Sequence, residues 1–200
     1  MVLLGEHVSQ DMLIVDENDV VDPHIWFSVE IWSHLVMVVA EAMGDLDEDH
    51  QDIYIARAFA YQQDLAMLDA YIKAQVERLP SDKRILVTAH DAFAYFGVAF
   101  GFDVHAVQGI STESEASIRD IDNLAQLLVD ENIQSVFFES SVPQTTVNAL
   151  VESAQSLGHQ VNIGGELYSD STGPINQGHE TYIRTFRANI DTIINALLEE

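Results

Sequence analysis

The sequence contains no cysteine, which excludes disulfides, thiolate metal sites and cysteine nucleophiles. Any strong metal ligand must therefore be a histidine or a carboxylate. Positive charge is scarce too: 8 Lys plus Arg stand against 33 Asp plus Glu, a formal charge of −25. Such a field repels phosphate backbones and anionic membrane surfaces, so nucleic acid is excluded as a partner. The acidic excess reads first as a soluble face or an adaptation to salt, and only second as a means of gathering cations. No apolar run approaches the ~20 residues a membrane span needs, so no membrane insertion is expected. The opening MVLLGEHVSQDM has neither the basic start nor the apolar run of a signal peptide, and as it stands nothing exports the chain.

What is present is a folding chain of 200 residues, 48% hydrophobic, enough for one sizeable core or two small ones. From 28 to 43 apolar residues recur at Val29, Trp32, Val36, Val39, Ala40 and Met43, a helical period that predicts a helix closed by Gly44 as its C-terminal cap. After an acidic stretch at 45–49, a segment free of Gly and Pro runs to Pro80, with Ile53, Ala56, Ala60, Leu65, Leu68, Ile72 and Val76 at rough helical spacing. A helix over 49–79 is predicted, about 45 Å long at ~1.5 Å per residue, longer than a small domain is wide and suited to linking two lobes.

Beyond Pro80 the pattern becomes short β-rich runs at 85–89, 103–107, 135–139 and 160–163. They alternate with predicted helices near 93–100, 115–132, 142–157 and 180–198. Thr112 and Glu115 form a capping-box pattern, Pro143 falls in the first turn of the third of these helices, and Gly158 follows its end. The alternation predicts an α/β lobe over 80–200, a parallel sheet with helices on both faces. Residues 1–48 carry one clear helix and too few strands for a comparable lobe, so they read as the remnant of an N-terminal lobe whose upstream part is missing.

Three histidine or carboxylate positions stand out. His24 lies in Asp22-Pro23-His24-Ile25-Trp26, where proline stiffens the turn; it reads either as a ligand or as a packed histidine beside Trp26. His90 directly follows the run 85–89, and ligands of open α/β sheets gather outside the carboxyl ends of strands; the alternative is a histidine capping the next helix. Asp170, in GGELYSDS after the run 160–163, falls on the same predicted rim, or is a turn or capping residue. Glu139 ends the run 135–139 and reads either as a hydrogen-bond partner of a ligand histidine or as a cap of the following helix. His34, His50, His105, His159 and His179 are read as surface or packing residues, and Trp26 and Trp32 as core.

DPHIWFS, LVTAHDAFAYFG, QGISTESEAS, FFESSVP and GGELYSDS, in this order and spacing, resemble the TroA-like family of zinc and manganese solute-binding proteins. The resemblance covers residues 22–200. It implies two α/β lobes joined by one long helix, a complete C-terminal lobe and a truncated N-terminal one, with metal held in the cleft between lobes. By that likeness 49–79 is the linking helix, and His24, His90 and Asp170 are metal ligands. The family's fourth ligand, a histidine well upstream of the DPH motif, has no counterpart here, since His7 matches no motif.

The resemblance further implies an extracytoplasmic receptor, periplasmic or membrane-anchored, that delivers a divalent metal ion to an ABC transporter permease without chemical change. Two imidazoles and a carboxylate favour Zn(II), with Mn(II) as the more oxygen-loving alternative. Two rival readings remain. One is a fragment that binds metal weakly or not at all, and the other is a hydrolytic zinc enzyme, whose metal is also held by two His and a carboxylate but for which no HExxH helix is present.

Overall fold

A computed structural model describes residues 2–16, 19–111 and 116–199, and the chain separates into two compact units, Met1–Lys73 and Ala74–Glu200. The first is built from helices and short turns. Two 3-10 turns, Leu4–His7 and Gln10–Met12, lead to an isolated antiparallel bridge between Val15 and Val21. A third turn, Ile25–Phe27, precedes helix α1 (Val29–Leu46), whose first turn is capped by Ser28 Oγ accepting from the Ile31 N–H at 3.3 Å.

The buried face of α1 is offset from the predicted one. Ile31 and Leu35 are 2% exposed, whereas Val39 and Met43 are each 43% exposed. Apolar residues surround most of this helix, so their spacing does not select one face. Trp32, like Trp26, is only half-buried rather than core. Gly44 does not end the helix as expected. It lies inside the last turn, where a Cβ would stand 2.7 Å from Gln51 Cγ; the glycine admits a close approach, not a left-handed terminus.

A turn at Glu48–His50 opens into α2 (Gln51–Val76), 26 residues long and the only helix of such length among the described residues. Leu65, Leu68 and Ile72 on it are fully buried, as their spacing predicts, while Ile53 is 45% exposed and Ala56 and Ala60 are exposed. The division between the two units falls inside this helix.

The second unit runs β1 (Ile85–His90), α3 (Ala94–Phe100), β2 (Asp103–Gln108), α4 (Ile118–Asp130), β3 (Ser135–Glu139), α5 (Thr145–Ser156), β4 (Asn162–Leu167) and α6 (Tyr182–Leu198). The expected parallel sheet is present as two parallel pairs, β1 with β2 and β3 with β4, and β1 also lies beside β3. Each pair is a strand–helix–strand unit. The first crossover leads away from β1 on one side and the second away from β3 on the other, so the chain changes direction between β1 and β3.

Strand alternation sorts the side chains into layers. Val87, Ala89, Val107 and Val136 join Leu124, Leu128, Val147 and Leu150 of α4 and α5 in one core. Beyond the sheet, Phe96 and Phe100 of α3 pack with Phe102 and with Phe186 of α6, at ring separations of 5.1 to 6.3 Å.

Three boundaries differ from expectation. Thr112 and Glu115 lie outside the described residues, and α4 is closed by a capping box of Ser117 and Asp120, each side chain accepting the other's backbone N–H at 3.2 Å. Pro143 precedes the N-cap Gln144 of α5 instead of sitting in its first turn. β4 begins two residues later than predicted and takes in Gly164 and Gly165, which read as a loop in sequence. A Cβ at Gly164 would lie 2.7 Å from the Phe137 ring and 2.9 Å from Ala196 Cβ, and one at Gly165 2.6 Å from Thr192. The glycines let the strand pass between β3 and α6. No described helix is long and apolar enough to cross a membrane.

Candidate metal centre

In the second unit the place where the chain changes direction is occupied by two ionisable side chains. His90 is the last residue of β1, one position beyond the predicted strand because it pairs with Gln108 at the end of β2. Glu139 is the last residue of β3. His90 donates its backbone N–H to Glu139 Oε1 at 2.9 Å, and its Nδ1 lies 2.5 Å from Glu139 Oε2, with both side chains 0% exposed. One carboxylate thus grips both the backbone and the ring of the histidine across the sheet. Of the two readings of Glu139, the partner of a histidine fits this geometry.

Asp170 joins them. Its Oδ2 lies 3.5 Å from His90 Nε2, and its side chain, 35% exposed, is the accessible member of an otherwise buried cluster. Burial works against a positive charge on His90. The hydrogen bond and charge of Glu139 outweigh that penalty, helped by the charges of Asp170 and Asp91, and raise the His90 pKa above the ordinary histidine value. The ring therefore keeps a proton to higher pH than usual.

The segment carrying Asp170 is anchored at several points. Asn189 on α6, 3% exposed, accepts the Tyr168 N–H at 2.9 Å and donates to the Tyr168 carbonyl at 2.8 Å. The hydroxyls of Ser169 and Ser141 are 2.9 Å apart, and the Gly173 N–H donates to Thr185 Oγ1 at 3.2 Å. Nothing in the sequence singles out Asn189. It sits in an apolar helix stripe 21 residues from its partner, and only the fold pairs the two.

His24 belongs to the first unit and is 4% exposed. Asp22 Oδ1 accepts the His24 backbone N–H at 2.9 Å and lies 2.7 Å from His24 Nδ1, and Asp22 itself is held by donating its N–H to the Ile14 carbonyl at 2.9 Å. Trp26 meets the ring edge-on at 5.3 Å. Asp22 was part of the motif, yet its grip on the ring was not foreseen.

His34, His50, His105, His159 and His179 lie at the surface or in packed positions, as expected. His34 Nε2 donates to the His7 carbonyl at 3.1 Å, His50 pairs with Asp47 at 2.9 Å, His105 with Asp103 at 3.1 Å, and His159 Nε2 donates to the Ile133 carbonyl at 2.6 Å. His179 lies 5.7 Å from the Tyr168 ring.

An imidazole nitrogen and a carboxylate oxygen, donors suited to a divalent cation, meet in this α/β unit at the carboxyl rim of parallel strands, at a change of chain direction, where ligands of open α/β sheets gather. The chain belongs to the family described as ZnuA, zinc-uptake complex component A, periplasmic, which it matches over residues 4–196. It is 42% identical over 197 residues to the zinc-binding protein TroA of Treponema pallidum, and 41% identical over 195 residues to the manganese-binding lipoprotein MntA of Bacillus subtilis. These alignments cover 98% and 97% of this chain and 64% of each relative's length. The structure of periplasmic zinc-binding TroA from Treponema pallidum superposes with a TM-score of 0.95, covering 98% of this chain and 71% of that one. The expected α/β solute-binding fold is thus the fold of this chain.

Proposed function

We propose that this protein is the metal-binding component of a metal-ion importer, holding Zn(II), or alternatively Mn(II), through His24, His90 and Asp170, and passing it to a membrane permease. The observation that carries the reading is the state of the two rings. In each, Nδ1 is engaged by a buried carboxylate, Asp22 for His24 and Glu139 for His90, which fixes the tautomer and makes Nε2 the coordinating nitrogen. The His90 Nε2 and Asp170 Oδ2 already stand 3.5 Å apart, the spacing of two donors that share a cation.

In this reading His24 supplies the third donor from the first unit, and α2 is the strut linking the two lobes. Two nitrogens and one oxygen favour zinc over manganese. The similarity to a zinc-binding relative and a manganese-binding one is nearly equal, at 42% and 41%, so the choice of zinc rests on the donor set. A periplasmic or membrane-anchored setting, with a permease as partner, is supported by the family description and by the lipoprotein and ABC-transporter names among the relatives. The protein works as a carrier and not as an enzyme.

Calorimetric titration of the purified chain with zinc and manganese tests the reading. It predicts one zinc per chain, bound more tightly than manganese, with tight binding lost in His24→Ala, His90→Ala and Asp170→Ala and a weak, measurable affinity left in each. Wild-type zinc affinity in any one of the three variants would sink the assignment of that residue as a ligand.

A further inference from the structure

We infer that Asn189, on the inner face of α6, is a positioning residue for the metal, setting where the Asp170 carboxylate stands. This rests on the proposal that Asp170 is a ligand. Asp170 follows β4 by three residues in an otherwise polar loop, and a loop of that kind does not fix a carboxylate by itself. Its side chain is 35% exposed, and its backbone is held on either side.

On the strand side, the Asn189 carboxamide takes both polar groups of residue 168, accepting the N–H at 2.9 Å and donating to the carbonyl at 2.8 Å. A carboxamide that answers donor and acceptor of one residue fixes position and orientation together, as a single hydrogen bond does not. Asn189 is 3% exposed, so water does not replace these bonds when they break. On the far side, Thr185, one helical turn before Asn189, accepts the Gly173 N–H at 3.2 Å and donates to the His179 carbonyl at 2.6 Å. Gly173 leaves no room for a side chain, since a Cβ there would stand 2.5 Å from His179 Cβ and 2.9 Å from the Tyr168 ring. Between these anchors the Ser169 hydroxyl meets Ser141, just past β3, at 2.9 Å. The loop 168–173 is therefore bracketed by two polar residues of α6, and Asn189 is the bracket nearer to Asp170.

The alternative is that Asn189 only stabilises the fold. A double-mutant cycle on zinc affinity separates the two, because a residue that acts through Asp170 has nothing to act through once Asp170 is removed. Asn189→Ala should weaken zinc binding by roughly ten- to a hundredfold, the range of partners that orient metal ligands. In the Asp170→Ala background the same substitution should change affinity by less than about twofold. Thermal melting of the metal-free proteins records the fold contribution separately. If Asn189→Ala does not fold, Asn189→Asp enters the same cycle; it retains the acceptor for the Tyr168 N–H, loses the donor, and should give a smaller coupled loss. Wild-type affinity in the Asn189 variant, or a loss that persists undiminished without Asp170, overturns the inference. Wild-type affinity in Asp170→Ala alone instead overturns the ligand assignment, and the inference falls with it.

Discussion

The two buried histidines, one in each unit, are fastened by the same chemistry reached by opposite routes. His24 takes its carboxylate from two residues away, inside a turn stiffened by Pro23, and a single oxygen of Asp22 accepts both the backbone and the ring. His90 takes its carboxylate from 49 residues away, across two adjacent strands, and Glu139 uses one oxygen for the backbone and the other for the ring. The local device holds wherever the turn forms. The long-range device requires the whole second unit to be folded in register, so there the setting of the ring and the fold share one set of bonds.

The largest expected effect tests that contrast directly. His90→Ala should abolish tight zinc binding and also destabilise the metal-free protein by about 3 kcal/mol, since Glu139 Oε2 is left buried without its partner. His24→Ala should equally abolish tight binding with a much smaller loss of stability, because Asp22 Oδ1 keeps the backbone N–H of residue 24. Calorimetry gives the first quantity and denaturant unfolding the second. Equal stability losses would show that the two carboxylates are held alike, and would break the comparison.

The conservative carboxamides come next. Glu139→Gln and Asp22→Asn each keep shape but remove the charge that steadies the ring, and each should weaken zinc by ten- to a hundredfold. Glu139→Gln should fall at the larger end, because either carboxamide orientation sets an N–H group against one of the two donors now accepted. A Glu139→Gln protein with wild-type affinity would reduce Glu139 to a structural cap.

The same contrast explains what could be read from the sequence. Local period and local motif placed β3 at its observed bounds and singled out His24, His90, Asp170 and Glu139 as candidates, because strand ends and turns announce themselves within a few residues. What escaped depends on neighbours distant in sequence. Gly164 and Gly165 read as loop because the Phe137 ring and the α6 surface that require them are more than 25 residues away. Gly44 read as a cap because the Gln51 side chain pressed against it was invisible. Asn189 looked like an interruption of a core stripe until its partner at Tyr168 was in place. On α1, apolar residues at most positions left the period without a phase, and the true face includes Ile31 and Leu35.

Protonation offers a third way to sharpen the comparison. The His90 pKa is raised, so below it each bound zinc must expel a proton, and affinity should fall about tenfold for every pH unit below that value. The sign for stability is opposite. A raised folded-state pKa gives a contribution that is full below the unfolded histidine value of about 6.5 and is lost as pH rises through the folded value. The metal-free protein should therefore lose this contribution over the same pH range in which zinc binding gains. Zinc affinities of the unsubstituted protein from pH 5.5 to 8.5 should show the bend, and Glu139→Gln should show it at lower pH. A bend that stays in place in Glu139→Gln would assign it to another group.

The smallest effect isolates a local device in the second unit that carries no metal chemistry. Ser117 and Asp120 close the N-terminus of α4 reciprocally, on the surface, within four residues of chain. Ser117→Ala removes the acceptor for the Asp120 N–H and should destabilise the protein by about 1 kcal/mol. Its zinc affinity should remain unchanged, because α4 packs on the core formed with Val87 and Ala89, while His90 alternates to the opposite side of β1. A shift in zinc affinity in Ser117→Ala would mean that the metal site senses the stability of the whole second unit and not only the bonds made by His90, and the distinction between local and long-range fastening would then be one of degree.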